Sequence, residues 1–272
     1  MSHHLDHDHM FEDEDATLSV LSGSPVRHRH DRGPRLTPRD RICLPWIAEQ
    51  YAIRLDQLQR LLFRHTPEQD RHKLKPGTDR LSLERTYDTL DRWRQRGLIE
   101  HDAILNREKL WIWLSRRGLR EIGSPFSYGN GQPASLRIPH LYYINQVRLT
   151  VETRRPEDSW VSERAIRHKQ GRRTKGASIP HTPDGLSITK AGKQTAIEVE
   201  WSSKDEEPLD KTLYELATTY KSVWYFATGA RTTLLQTHID ALPPDLQKPF
   251  VLYELGDYGH EYGVSQAEQR RV

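Results

Sequence analysis

Residues 179–204 read IPHTPDGLSITKAGKQTAIEVEWSSK, and the fold expectation for the chain turns on them. Ile179–Thr189 alternates weakly, Lys190-Ala191-Gly192-Lys193 is turn-forming, and Gln194–Trp201 alternates again, so the stretch predicts a β-hairpin. In the second strand Ala196, Glu198 and Glu200 share one face, and Ile197, Val199 and Trp201 share the other. Like charges side by side on a strand destabilise a sheet unless something positive stands between them. Asp184, after Pro183 near the middle of the neighbouring strand, can converge on the same point. A divalent cation with few oxygen ligands, leaving positions open for water and a phosphate, answers that arrangement.

Working outward, His140–Arg154 predicts a helix whose Leu141, Ile144, Val147, Leu149 and Val151 occupy more than one side, so it is expected to be well buried. Ser159–Ile166 reads as a strand with Trp160, Ser162 and Arg164 on one face and Val161, Glu163 and Ala165 on the other. After the hairpin come an amphipathic helix over Pro208–Tyr220, a buried strand over Ser222–Thr228, a helix over Arg231–Leu242 and a strand over Pro249–Leu255. The order is helix, three strands, helix, strand. Between the Glu163 and Asp184 strands, Arg167, His168, Lys169, Arg172, Arg173 and Lys175 form a basic loop that would border the carboxylates and bind phosphate.

Pro183-Asp184 followed by Glu198-Val199-Glu200 resembles the PD-(D/E)xK nuclease superfamily, and the αβββαβ order agrees with its core. The resemblance implies Mg²⁺ or Mn²⁺ held by Asp184 and Glu198, with the Val199 carbonyl as a further oxygen and Glu163 as accessory ligand; Glu152 competes for that last role. Glu200 stands where the superfamily usually has lysine, although some of its restriction endonucleases carry Glu-x-Glu. Lys204 or Lys211 could supply a displaced lysine, or Glu200 could act as base. The implied catalytic set is Asp184, Glu198, Glu200 and Lys204.

Upstream, Asp40–Tyr51 and Leu55–Phe63 predict helices, and His65–Arg80 a polar connector. Ser82 is placed to cap a helix over Leu83–Arg96 that Gly97 closes. Its expected buried stripe is Leu83, Tyr87, Leu90 and Trp93, with Arg85, Asp88, Thr89, Arg92 and Arg96 outward. Two strands, Leu98–Leu105 and Lys109–Leu114, then lead into a helix over Arg116–Ile122 capped by Ser115. That is a winged helix-turn-helix order, in which Arg85, Thr89 and Arg92 would face a DNA groove while Arg107 and Lys109 at the wing tip met phosphate.

The expected fold class is therefore α+β or α/β in two domains: a winged helix-turn-helix at 38–122 and a restriction-endonuclease-like αβββαβ domain at 139–256. A Gly/Ser/Pro-rich linker at 123–138 joins them, between a disordered tail at 1–37 and a flexible tail at 257–272. With Trp111–Gly118, Pro183-Asp184-Gly185 and Ile197–Trp201, the whole resembles the bacterial replication-relaxation family, tied to plasmids and mobile elements. That resemblance implies double-stranded DNA as partner, with a homodimer and plasmid or transposon replication proteins as further candidates. The implied activity is nicking or cleavage of DNA by a metal-dependent endonuclease. The alternatives are a non-catalytic DNA-binding replication or transcription factor that keeps a degenerate nuclease fold, and a subunit active only in a larger complex.

Composition narrows the setting. The single cysteine, Cys43, excludes an intrachain disulfide framework and a multi-cysteine zinc site, which fits a reducing compartment. Neither a membrane-length apolar run nor a secretory h-region is present, so a cytoplasmic protein with no membrane partner is expected. The histidines of the first 30 residues are irregularly spaced among acids and read as a solvated segment.

Overall fold

The computed structural model describes residues 35–74, 76–104, 109–129, 131–171, 181–201 and 209–256. Most of the segment read as an N-terminal tail (1–34) and all of the one read as a C-terminal tail (257–272) lie outside the described residues. The chain is a mixed α and β structure, and the described residues fall within one compact unit, Gly33–Val272.

Helix α1 (Pro38–Glu49) opens on a reciprocal cap: the Asp40 amide donates to Thr37 Oγ1 (3.1 Å), and the Thr37 amide donates to the Asp40 carboxylate (2.8 Å). Strand β1 (Ile53–Arg54), helix α2 (Leu55–Arg64), the short α3 (Glu68–Arg71), helix α4 (Leu83–Gln95), strands β2 (Ile99–Asp102) and β3 (Trp111–Leu114) and helix α5 (Arg116–Glu121) follow. The strands form an antiparallel sheet in the order β1-β3-β2. Leu55, Leu58, Leu61 and Leu62 of α2 are buried, as their spacing requires.

The buried stripe of α4 differs from the expected one. Thr86, Thr89, Leu90 and Trp93 point inward, while Leu83 and Tyr87 are exposed. Both stripes fit a helical period, and the docking of Leu90 and Trp93 into the core with Leu58 and Leu98 selects between them. Gly97 follows the helix at φ +65°, as a closing glycine should.

The second half begins with a 3₁₀ turn, Ser135–Arg137, inside the stretch read as linker, and continues into α6 (Ile138–Arg154). Then come β4 (Ser159–Ser162), α7 (Glu163–Gln170), β5 (Gly185–Ile188), β6 (Gln194–Glu200), α8 (Leu209–Thr219), β7 (Val223–Thr228), α9 (Gly229–Asp240), α10 (Pro244–Gln247) and β8 (Phe250–Leu255). The sheet order is β4-β5-β6-β7-β8; the first three strands pair antiparallel and the last three parallel, with helices on the crossovers. Helix α6 covers one face, against Ile197, Val199 and Phe226. The apolar side chains Leu213, Leu216, Leu235 and Ile239 of α8 and α9 cover the other, against Ala196 and Tyr225.

Two strand expectations are corrected here. The strand read as Ser159–Ile166 stops at Ser162, whose hydroxyl accepts the Ala165 amide (3.2 Å) and starts α7, so Glu163 stands on a helix. Arg167, His168 and Lys169, read as loop, are on that helix too. The strand read as Ile179–Thr189 is restricted to Gly185–Ile188, which puts Asp184 at the strand entrance rather than near its middle.

Helix α6 also belongs to the first half. Asn145 Nδ2 donates to the Ala52 carbonyl (2.9 Å) and Gln57 Nε2 to the Tyr142 carbonyl (2.8 Å). Glu152 accepts from Trp46 Nε1, Arg64 and Arg148 at once, so it is a structural anion rather than a neighbour of Asp184. A helix facing two packed layers needs apolar residues all round, and that is why α6 carries no single apolar stripe.

Candidate functional site

The antiparallel pairing of β5 with β6 ends at Gly185 and Ile197. One step further, the Val199 amide has lost its strand partner, and the Asp184 carboxylate takes the role: Val199 N–H donates to Asp184 Oδ2 at 2.9 Å. The other oxygen, Oδ1, lies 3.1 Å from His140 Nε2 on the first turn of α6. Glu163 is adjacent, its amide donating to the Asp184 carbonyl (3.1 Å).

Glu198 lies beside Asp184 and is 5% exposed. Its Oε1 accepts from His181 Nε2 at 2.8 Å, and the His181 amide donates to Glu215 Oε2 of α8 (2.7 Å). Two carboxylates are thus interleaved with two imidazoles.

The electrostatics follow from that crowding. Burial disfavours the His140 imidazolium, but the Asp184 charge and hydrogen bond outweigh it, with help from Glu163, and the pKa rises to about 9. Burial also opposes a charge on His181, and Glu198 overcomes it, so His181 shifts upward. Glu198 is pushed up to about 7 by burial and by Asp184, against the pull of His181. At neutral pH the cluster holds the His140 imidazolium against Asp184 and a buried carboxyl, Glu198, poised to exchange a proton.

Glu200 lies further along β6, its Oε1 3.8 Å from the Nε of Arg231 on α9. Arg231 is 7% exposed, and this Nε has no hydrogen bond among the described residues. Glu163 is held by Arg167 (2.7 Å) and Arg137 (3.6 Å). A cavity of about 280 Å³ reaches the cluster from the first half of the chain, lined by Tyr51, Trp113, Tyr128, Leu141 and Arg164 and ending on His140, Glu163 and Asp184. Tyr51 is held at φ +66°, its ring beneath the guanidinium of Arg164 (4.5 Å) and flanked by that of Arg137 (5.5 Å).

The structure thus brings Asp184, Glu198 and Val199 together, with Glu163 alongside and Glu200 further along the strand. Lys204, Arg107, Arg172, Arg173 and Lys175 lie outside the described residues. On α4, Arg85 is exposed as expected, whereas Thr89 is 1% exposed and therefore corrected: its hydroxyl donates to the Arg85 carbonyl and accepts from Arg39. Arg92 is paired with the fully buried Asp40 at 2.6 Å, so it holds the fold together before it holds anything else. Lys109 is exposed and lies 3.7 Å from Asp56; Arg167 and Lys169 are exposed on α7.

Sequence pattern does not single out His140, His181, Glu215 or Arg231. They are isolated residues, and only the folded chain places them against the carboxylates. The nearest signal is His181, three residues before Asp184.

Among the described residues no three His, Cys, Asp or Glu side chains form a ready-made metal cage, and no helix is long and apolar enough to cross a membrane. Comparison of the chain with protein-family models, with curated proteins and with solved structures finds no match.

Proposed function

We propose that the chain binds duplex DNA and hydrolyses a phosphodiester at the Asp184–Glu198 cluster, in the manner of a PD-(D/E)xK nuclease attached to a winged helix. The observation that carries this reading is the meeting of Asp184 and Glu198 where β5 and β6 part. The succession α6-β4-β5-β6-α8-β7, interrupted by α7 between β4 and β5, with its antiparallel-then-parallel sheet supports it, as does the helix and three-stranded-sheet order of the first half. The same features support a likeness to the replication-relaxation family.

The residues present fit a hard divalent cation. Mg²⁺ is commonly held by one or two carboxylates, with waters and substrate phosphate completing its shell, so the pair Asp184 and Glu198 suffices without a protein cage. Burial and the neighbouring Asp184 charge push Glu198 up to about 7, and a cation between the two acids would favour their charged forms. When bound there, Mg²⁺ or Mn²⁺ would supply charge for the phosphate and acidify water. The chain's own groups do the rest: Glu200 takes the proton of the attacking water in place of a lysine, Arg231 orients that carboxylate, and the cations of α7 hold the DNA backbone.

One observation favours the second reading, a DNA-binding factor on a degenerate nuclease fold. Each assigned acid already faces a protein nitrogen: Asp184 has His140, Glu198 has His181, Glu200 has Arg231 and Glu163 has Arg167. Supercoiled plasmid incubated with the protein and Mg²⁺, Mn²⁺ or EDTA separates the two. Metal-dependent nicking that disappears in Asp184→Asn and Glu198→Gln supports the nuclease; duplex binding with no cleavage under either metal selects the second reading.

A further inference from the structure

Helix α6 ends at Arg154. Beyond its end, over the starts of β6, β7 and β8, lies an open groove of about 500 Å³. Trp224, Phe226 and Tyr253 form its floor, and Arg154, Arg155 and Lys193 stand round it with several threonine and serine hydroxyls. None of the described lining residues is acidic.

The floor is an ordered aromatic surface. Phe226 is buried and supports Tyr253, the two rings stacked at 4.8 Å and 15°. Trp224 meets Tyr253 edge-on at 6.0 Å, and the Arg155 guanidinium lies 4.7 Å over the indole. Arg155 also pairs with Asp158 at 3.3 Å, which holds it in that position. Arg154 and Lys193 are exposed. The groove is separate from the carboxylate site: Glu198 and Glu200 lie toward the far end of β6 and project from the opposite face, the one that carries Ala196 and Tyr225.

Half-buried aromatic rings on a sheet, bordered by cations and hydroxyls with no carboxylate among the described lining residues, are chemically matched to one kind of polymer. A single nucleic-acid strand offers unstacked bases to the rings and phosphates to the cations. A duplex keeps its bases stacked internally, and an acidic peptide would satisfy the cations while leaving the rings without planar partners. We propose that this groove binds a segment of single-stranded DNA, roughly two to three nucleotides long, with bases against Trp224 and Tyr253 and phosphates on Arg154 and Lys193. The choice of DNA as the occupant rests on the proposed function; the groove and its chemistry do not.

The test is fluorescence anisotropy of a labelled oligothymidylate with the full chain in EDTA, beside a duplex probe. Two variants are compared: Arg154→Glu/Lys193→Glu, both exposed positions, and Tyr253→Leu, which keeps bulk and removes the stacking face. The expected result is single-strand affinity reduced about tenfold in the charge variant and about fivefold or more in Tyr253→Leu, with duplex affinity unchanged. Unchanged single-strand affinity in both variants overturns the proposal. So does a duplex that binds while oligothymidylate does not, and that outcome leaves the duplex reading standing. Displacement of oligothymidylate by polyglutamate at equal charge concentration also overturns it, in favour of an acidic-peptide surface. Retained oligothymidylate binding with no duplex binding supports the groove and defeats the winged-helix reading.

Discussion

Replacing His140 by glutamine tests the charge arrangement of the carboxylate site without requiring any activity. The imidazole sits between Asp184 at 3.1 Å, Glu163 on α7, Glu198 on β6 and the Arg137 guanidinium, and its pKa moves from an ordinary 6.5 to about 9. A folded-state value raised in this way stabilises the fold fully below pH 6.5, and the stabilisation is lost as pH climbs through 9. Each pH unit in that window carries about 1.36 kcal/mol, so about 3 kcal/mol disappears across it. Glu198 shares the lower part of the window, since its upward shift to about 7 removes stability as pH rises toward that value. In the upper part, from pH 7.5 to 9, His140 accounts for about 2 kcal/mol, and the upward-shifted His181 acts in the same direction. Urea unfolding of the metal-free protein in EDTA, followed by tryptophan fluorescence, reads this directly. With a denaturant slope of about 3 kcal/mol/M, the wild-type midpoint falls by about 0.7 M between pH 7.5 and 9. His140→Gln, which can still donate to Asp184 but cannot titrate, has a midpoint that falls by clearly less over the same range. A variant whose midpoint falls in parallel with the wild type would refute the pairing as the source.

Other consequences are equally specific. Glu152→Ala takes one acceptor each from Arg64 and Arg148, which keep the residue-152 carbonyl and Glu49, and leaves Trp46 Nε1 without its acceptor; it is expected to cost about 2 kcal/mol in urea unfolding. Arg85→Ala should weaken duplex binding and flatten its salt dependence by about one ion, whereas Arg92→Ala should first lower stability because the buried Asp40 loses its charged partner; equal stability of the two variants would contradict this split. A Cβ on Gly118 would stand 2.0 Å from the Leu98 carbonyl oxygen, so Gly118→Ala is expected to destabilise by about 3 kcal/mol, the upper end for overpacking, since the atom it meets is backbone. Cys43 is buried and its thiol pushed up to about 12, so the folded protein should resist a thiol reagent at pH 8 and react only in denaturant.

Local chemistry was legible in the residues themselves. Ser82 and Ser115 cap helices because their hydroxyls can take an amide three residues on, and both do so. Gly97 and Gly192 lie at positive φ, where a chain must turn sharply. Alternation over Gln194–Glu200 reported a strand, and periodicity marked α6, α8, β7, α9 and β8 in their order, while α7 and α10 escaped it. Asp184 and Glu198 could be marked as neighbours from hairpin register, a short-range property of the chain.

What residue pattern could not supply came from contacts between distant segments. Strand β1 is two residues long and exists only because β3 pairs with it. The choice between two helical stripes on α4, which buried Thr89 and exposed Tyr87, was made by the core into which Trp93 docks. Glu163 left its strand for a helix once Ser162 found an amide to cap. Above all, His140 and His181 acquired their partners across 44 and 17 residues of sequence, and Arg231 met Glu200 from the far side of β7. Periodicity and capping are set by the backbone within a few residues, whereas the charge state of a buried carboxylate depends on what the rest of the chain packs around it.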